Sequence, residues 1–201
     1  MKINRLPLGS YAANCYIVMD DKTKEALVID PGAEASVVDD EIKRMGAKVK
    51  YIFLTHGHLD HIGAVSELKK LTNASVCINE EDEKAIKKGG YVFGEVKNFG
   101  EADIYLKDGD EFGVGDMHIK CIETPGHSKG GMCFLIKNVV FTGDTIFEGS
   151  IGRTDFEGGD FNTLIKSIKT KLLTLPEDTV ILPGHGNESR IDYEKMYNPF
   201  L

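Results

Sequence analysis

Apolar runs of about five residues recur along the chain, each closed by a turn residue. Between them lie stretches whose apolar positions fall three and four apart. The first pattern predicts buried strands and the second predicts amphipathic helices. The run 26-ALVID-30 ends at Pro31-Gly32 and predicts a strand. Val38, Ile42 and Met45 then share one face of a helix that stops at Gly46. A second run, 51-YIFLT-55, predicts a buried strand, and Ile62, Val65, Leu68 and Leu71 predict a helix starting at Ile62. The segment 74-ASVCI-78 reads as another strand. Asn79 is placed to cap the helix 80-EEDEKAIKK-88, whose acids 80-EEDE-83 are expected on a solvated surface.

The second half is richer in strands. In 117-MHIKCIE-123 apolar and polar residues alternate, although Ile122 breaks the period. The runs 132-MCFLI-136 and 139-VVFTG-143 flank Lys137-Asn138 and predict a hairpin. Asp160 caps a helix with Phe161, Leu164, Ile165, Ile168 and Leu172 on one stripe; 179-TVILP-183 is a strand, and a short helix follows. Strands and helices alternate in both halves, each half with its own sheet. Two packed sheets with helices outside would fit 201 residues in a single domain spanning 1–201.

Composition narrows the function classes. Hydrophobic residues are 41% and charged residues 28%, the balance of a soluble globular chain. The net charge of −8 argues against a nucleic-acid partner, which calls for a basic face, and against an anionic membrane. No apolar segment approaches the roughly 18 residues of a membrane span, and the N-terminal stretch lacks the pattern of a signal peptide. Cys15, Cys77, Cys121 and Cys133 are scattered and form no CxxC, so free buried thiols in a cytoplasmic setting are expected.

The chemistry concentrates at strand ends. Asp30 ends the first strand. His56, His58, Asp60 and His61 follow the second, within 53-FLTHGHLDHIGA-64. His127 lies in 124-TPGHSKGG-131, Asp144 ends 139-VVFTGD-144, and His185 lies in 183-PGHG-186. Loops at one edge of a rigid sheet are the usual seat of catalytic groups. Imidazole nitrogens and carboxylate oxygens suit zinc, iron and manganese. In an extended loop His56 and His58 can address one ion, while Asp60 and His61 point elsewhere, towards a second. Asp144 could bridge the pair at the roughly 3.5–4 Å spacing of two-metal hydrolases. Seven donors exceed the four of a closed structural zinc site and imply two ions with positions open to water. His118, inside a strand beside Lys120, receives no metal role.

Taken in order, VIDPG, THGHLDH, TPGH, FTGD and LPGH resemble the metallo-β-lactamase superfamily over nearly the whole chain. The stretches 14-NCYIV-18, 143-GDTIFEGSIGRTDFEGGD-160 and 198-NPFL-201 resemble its glyoxalase II-like hydrolases in their short bacterial form. The resemblance implies a four-layer αββα sandwich of two mixed β-sheets. It implies one metal on His56, His58 and His127, a second on Asp60, His61 and His185, and Asp144 between them. Asp30 would orient a ligand. Zinc is the first expectation for both ions, with iron or manganese as alternatives.

The implied activity is hydrolysis of hydroxyacyl thioesters such as S-lactoylglutathione. Water held between two cations loses its proton near neutral pH and attacks the carbonyl, with Asp60 and Asp144 as the carboxylates of the reaction site. Long glyoxalase II enzymes carry a C-terminal helical region that binds glutathione; this chain is expected to lack it, which leaves the thiol carrier open. Arg153 and Lys129 are the basic candidates for a substrate anion, although each could equally serve a surface ion pair. The rival reading is a persulfide dioxygenase with one iron on His56, His127 and Asp144. Another ester or lactone hydrolase and a non-catalytic metal-binding module complete the alternatives.

Overall fold

The computed structural model describes residues 1–89 and 101–201. Its first sheet is built from β1 (Lys2–Leu8), β2 (Ala13–Met19), β3 (Glu25–Ile29), β4 (Lys48–Phe53), β5 (Ser75–Ile78) and β6 (Ile104–Tyr105), in that spatial order. The first three strands pair antiparallel and the rest parallel. Helices α1 (Ala35–Met45), α2 (Leu59–Ile62), α3 (Val65–Thr72) and α4 (Glu80–Lys87) connect these strands.

The second sheet contains β7 (Glu111–Val114), β8 (Met117–Glu123), β9 (Met132–Ile136) and β10 (Val139–Gly143). A short ribbon of β11 (Ile146–Phe147) and β12 (Ser150–Ile151) follows, then α5 (Phe161–Ser167), which runs on into a π-helical turn, Ile168–Leu172. The chain then adds β13 (Val180–Pro183), β14 (Ser189–Arg190) and α6 (Ile191–Tyr197). The spatial order is β14-β13-β10-β9-β8-β7, with β10 and β13 parallel and the other neighbours antiparallel.

Three apolar layers show why the chain stacks this way. Along β2 and β3, Tyr16, Val18, Leu27 and Ile29 face the second sheet, with Phe53 of β4. Their neighbours Cys15, Ile17, Met19, Ala26 and Val28 face the helices, packing with Val38, Ile42, Val65, Leu68 and Ile86. This is the period-two alternation of a sheet buried on both faces. In the second sheet Met117, Ile119, Cys121, Phe134 and Phe141 point inward. Ile122, Cys133, Val140 and Ile181 point outward onto Leu164, Ile168, Leu172 and Ile191. Ile122 breaks the alternation because its outer face is covered by helix, not by water. The layers are helix, sheet, sheet and helix. At the centre the Phe53 ring lies 4.9 Å from Phe134 and 5.1 Å from Phe112. Truncating such a buried ring to alanine costs about 3–5 kcal/mol.

Several expectations change. The helix expected from Ile62 is broken, because α2 starts at Leu59 and Gly63-Ala64 separates it from α3. Leu71 is 51% exposed and Phe161 is 49% exposed, so neither belongs to its expected stripe. Asp82 and Glu83 are buried, against the solvated surface expected of 80-EEDE-83. Strands β1, β2, β6, β7 and β14 were not expected from the apolar pattern. Asn79 and Asp160 cap as anticipated, accepting from the backbone N–H of Glu81 and Thr163. All four cysteines are buried and unpaired. No helix among the described residues is long and apolar enough to cross a membrane.

Candidate metal centre

Parallel pairing puts the donors on one edge. Strands β3 and β4 run side by side, as do β10 and β13, so the residues after Ile29, Phe53, Gly143 and Pro183 emerge together. The two sheets are tied there. Asn14 N–H donates to the Gly184 carbonyl at 2.7 Å, Tyr16 Oη to the Pro183 carbonyl at 2.7 Å, and Met132 N–H to the Thr55 carbonyl at 2.8 Å. At Gly184 the chain passes so close that a Cβ would overlap Asp144 Oδ1 and His61 Cε1.

The donors converge in two groups. His56, His58 and His127 offer ligand atoms within 4.8 Å of one another, and so do Asp60, His61 and His185. His127 Nε2 lies 2.9 Å from His58 Nδ1. His185 Nε2 lies 3.2 Å from Asp60 Oδ2 and 3.3 Å from His61 Nε2. Asp144 stands between the groups. Its Oδ2 is 3.6 Å from His127 Nε2 and 3.7 Å from His185 Nε2, and its Oδ1 is 3.5 Å from His61 Nε2. Asp60 and His61 reach the second group from the helical turn α2, not from extended backbone.

Hydrogen bonds fix which nitrogen the rings of His127, His61 and His56 present. His127 Nδ1 lies 2.8 Å from the Arg153 carbonyl, which only accepts, so the proton sits on Nδ1 and Nε2 faces the group. His61 Nδ1 donates to Asp30 Oδ2 at 3.0 Å, leaving its Nε2 inward. Asp30 also accepts Thr55 N–H at 2.8 Å and Thr55 Oγ1–H at 2.6 Å. With its proton given to Asp30, Thr55 Oγ1 accepts from His56 Nδ1 at 3.0 Å. One carboxylate thus orients His61 directly and His56 through a threonine. Asp30 also falls in a possible donor trio with His56 and His61, but these bonds account for both its oxygens. A φ of +51° at Asp30 turns its side chain into this position.

The donor set fits a cation on its own terms. Among the described residues His56 Nε2 and Asp144 Oδ1 are buried without a hydrogen-bond partner. Such orphaned groups cost about 1–3 kcal/mol each, which a bound cation would offset. Burial, followed by the neighbouring imidazoles, holds His56 well below its ordinary range and pulls His58 down to about 3, the neutral form a metal needs. His61 is also disfavoured by burial, but Asp144, Asp30 and Asp60 outweigh it and raise it to about 9. Burial likewise opposes ionisation of Asp60, yet His185 and His61 bring it down to about 2. An acid held ionised beside imidazoles is a charge pattern that a second cation would satisfy.

The groups lie at one side of a cleft of about 560 Å³ whose walls include Tyr11, Leu59, Phe147, Ile151, Arg153 and Phe156. A second hollow of about 520 Å³, lined by Ile3, Arg5 and Tyr16 among others, contains none of the donors. Arg153 borders the donor-bearing cleft, with its guanidinium 3.6 Å from the centre of the Phe156 ring. It also pairs with Asp155 at 2.8 and 2.7 Å, so the surface ion pair is real as well. Lys129 is exposed and does not line the cleft; the nearby acid it influences is Glu81. His118 is exposed and lies 3.1 Å from Glu111.

Residues 8–185 match the model of the metallo-beta-lactamase superfamily. The chain belongs to that superfamily. Among its superfamily relatives is a protein of Haemophilus influenzae named hydroxyacylglutathione hydrolase GloC, 38% identical, with 100% of this chain and 98% of the relative covered. Among solved superfamily structures, one described as BLEG-1 B3 metallo-beta-lactamase superposes with a TM-score of 0.92 at 34% identity, covering 100% of this chain and 99% of that one. ETHE1 from Myxococcus xanthus superposes with a TM-score of 0.84 at 30% identity, covering 99% and 84%. Superfamily membership and the donor groups together make this a metal-dependent hydrolase scaffold.

Sequence reasoning missed Thr55, Asp82 and the aromatic wall. Thr55 sits next to His56 at a strand end, where a hydroxyl can reach a ring nitrogen. Asp82 gave no signal, because an acid in the first turn of a capped helix ordinarily faces water.

Proposed function

We propose that the protein hydrolyses hydroxyacyl thioesters of a small thiol, S-lactoylglutathione being the model substrate. The observation that carries this reading is the full-length likeness to a protein named hydroxyacylglutathione hydrolase. The paired donor groups supply its chemistry. Two divalent cations in this centre, with zinc first and iron or manganese as alternatives, would supply an activated water and a Lewis acid for the carbonyl oxygen.

The residues of the chain do the rest. His56, His58 and His127 would hold one cation and Asp60, His61 and His185 the other, with Asp144 standing between the two groups. Asp30 and Thr55 fix the rings of His61 and His56. Leu59, Phe147, Ile151 and Phe156 give the acyl group and carrier an apolar bed and limit bulk water. Arg153, steadied on Phe156, is placed to meet an anionic group of the substrate by sharing or releasing Asp155. Burial disfavours the nucleophilic thiolate at all four cysteines, raising Cys15 and Cys77 as well as Cys133, to about 11, and Cys121, to about 12. A thiolate is a good leaving group and asks for little protonation. The buried, unpaired cysteines support a reducing, cytoplasmic setting.

The test is a substrate panel on metal-loaded protein: S-lactoylglutathione, acyl esters of other small thiols, a lactone, a chromogenic β-lactam, and glutathione persulfide with an oxygen electrode. Thioester cleavage abolished by chelation and restored by metal is the expected result. Oxygen uptake without thioester cleavage would replace the reading with a dioxygenase, and faster β-lactam opening would replace it with a lactamase.

A further inference from the structure

Helix α4 reaches into the metal centre from behind. Asp82, on its first turn, is fully buried, and its carboxylate joins two loops far apart in the chain. Its Oδ2 accepts the N–H of Gly57, the residue between His56 and His58, at 2.9 Å. Its Oδ1 accepts the N–H of Gly130, three residues beyond His127, at 2.7 Å. Both bonds are charge-assisted when the acid is ionised, and so shorter and stronger than neutral ones. Gly130 allows the approach: a Cβ there would stand 2.6 Å from Asn79 Oδ1 and 2.9 Å from Asp82 Oδ1. The loop that carries two histidines of the first group is thereby clamped to the loop that carries the third.

We propose that Asp82 is the positioning residue of the His56–His58–His127 group, setting the separation of its two loops and hence that group's affinity for its cation. The Asp60–His61–His185 group is held by other bonds, from Asp30 and the turn α2, and is not governed by Asp82. The inference rests on the two-metal reading of the centre and not on the identity of the substrate. Neighbouring Glu83 supplies the internal comparison. It is also buried and lies on the same helix, yet its carboxylate accepts Ala102 N–H at 2.6 Å and Tyr105 Oη–H at 2.7 Å, away from the ligand loops.

The experiment is titration of the metal-free full chain with cobalt(II) against a chromophoric chelator, with absorption spectra recorded, for wild type, Asp82→Asn, Gly130→Ala and Glu83→Gln. In Asp82→Asn the first-group equivalent should weaken 10- to 100-fold, the range for lost outer contacts of a metal site. Its spectrum should shift, while the other equivalent stays within about two-fold. Gly130→Ala keeps the carboxylate but pushes the loop off it, so it should show the same selective loss; it carries the test should Asp82→Asn not fold. Glu83→Gln should leave both equivalents as in wild type. Equal weakening of both equivalents, unchanged affinities, or the same selective loss in Glu83→Gln would overturn the role of Asp82. A wild-type chain that takes up fewer than two equivalents would overturn the two-metal reading itself. Failure to cleave thioesters bears on the substrate alone.

Discussion

Replacing Thr55 by valine removes one hydroxyl and keeps the side chain's shape. That hydroxyl donates to Asp30 at 2.6 Å and accepts from His56 Nδ1 at 3.0 Å. Both Thr55 and His56 are buried, so water cannot take its place. In Thr55→Val either His56 keeps its Nδ1 proton unpaired, or the proton moves to Nε2, the atom that must face the cation. The first outcome costs about 1–3 kcal/mol of stability. The second withdraws a ligand, and losing such an orienting bond typically weakens metal affinity 10- to 100-fold, about 1.4–2.7 kcal/mol. The assays are thermal unfolding of the metal-free protein and chelator-competition titration. In a domain of this length each kcal/mol moves the midpoint by roughly 2–4 °C. Thr179→Val is the matched control: its hydroxyl is buried without a hydrogen-bond partner among the described residues, so valine should leave stability equal or higher. Wild-type metal affinity together with wild-type stability in Thr55→Val would refute the Asp30–Thr55–His56 relay.

Asp60→Ala should lose most thioester hydrolysis and one metal equivalent, whereas His118→Ala, exposed and paired with Glu111, should retain activity near wild type. Equal losses in an initial-rate assay would contradict the donor assignment. Gly32→Ala should cripple metal uptake, because the new Cβ would overlap the Asp60 carbonyl and displace the turn that carries Asp60 and His61; metal content of the purified variant reads this out. In the metal-free chain His58 is held down to about 3, mainly by burial, and His61 is raised to about 9 against burial by Asp144, Asp30 and Asp60. Unfolding therefore takes up a proton at His58 below about pH 6.5, and stability falls as the pH drops from there towards 3. Unfolding releases a proton from His61 above about pH 6.5, and stability falls as the pH climbs towards 9. Denaturant midpoints across this range should peak near neutrality without metal. The alkaline loss should vanish with metal, because bound His61 has already given up its proton.

Most helices and buried strands were legible because each follows one pattern, but β2, buried along its whole length, was not. The run 51-YIFLT-55 reads as a strand because the second half of β4 is covered on both faces, by the helices at Ile52 and by the second sheet at Phe53. β1 was not legible because its polar residues Asn4 and Arg5 sit on an edge, where exposure erases the apolar run. β6 and β14, two residues each, are shorter than any periodic signal. Phe161 and Leu71 misled for the opposite reason, since apolar residues at helical spacing need not be covered. At the site, the donors themselves were legible because seven side chains of metal-ligand chemistry in glycine-rich turns have few structural explanations. Their supports were not. Asp82 and Thr55 act through backbone N–H groups and a ring nitrogen brought near only by folding, and nothing in 80-EEDE-83 separates a buried clamp from a solvated acid.

The same distinction bears on specificity. The donors lie on turns whose course is fixed by close approach at glycines: Gly184 against the Asp144 carboxylate, Gly32 against the Asp60 carbonyl, and Gly130 against the Asp82 carboxylate. Small changes there should disturb metal binding before they alter the choice of substrate. The cleft wall is different. Phe147, Ile151, Arg153 and Phe156 come from the β11–β12 ribbon and the segment after it, and Tyr11, 64% exposed, comes from the turn between β1 and β2. The ribbon is held from outside the centre, where Glu194 of α6 accepts Gly149 N–H at 3.1 Å and Asn198 Nδ2–H donates to the Ser150 carbonyl at 3.0 Å. Its tie to the centre is through backbone, the Arg153 carbonyl 2.8 Å from His127 Nδ1 and Gly152 against the Asp144 carbonyl, so side chains facing the cleft can change while those contacts stay. Exchanging Tyr11, Phe147 and Ile151, with Gly152 and Arg153 kept, should therefore change which acyl thiol is cleaved while leaving metal stoichiometry at its wild-type value. A loss of metal on that exchange would mean that recognition and metal binding are not separable in this fold.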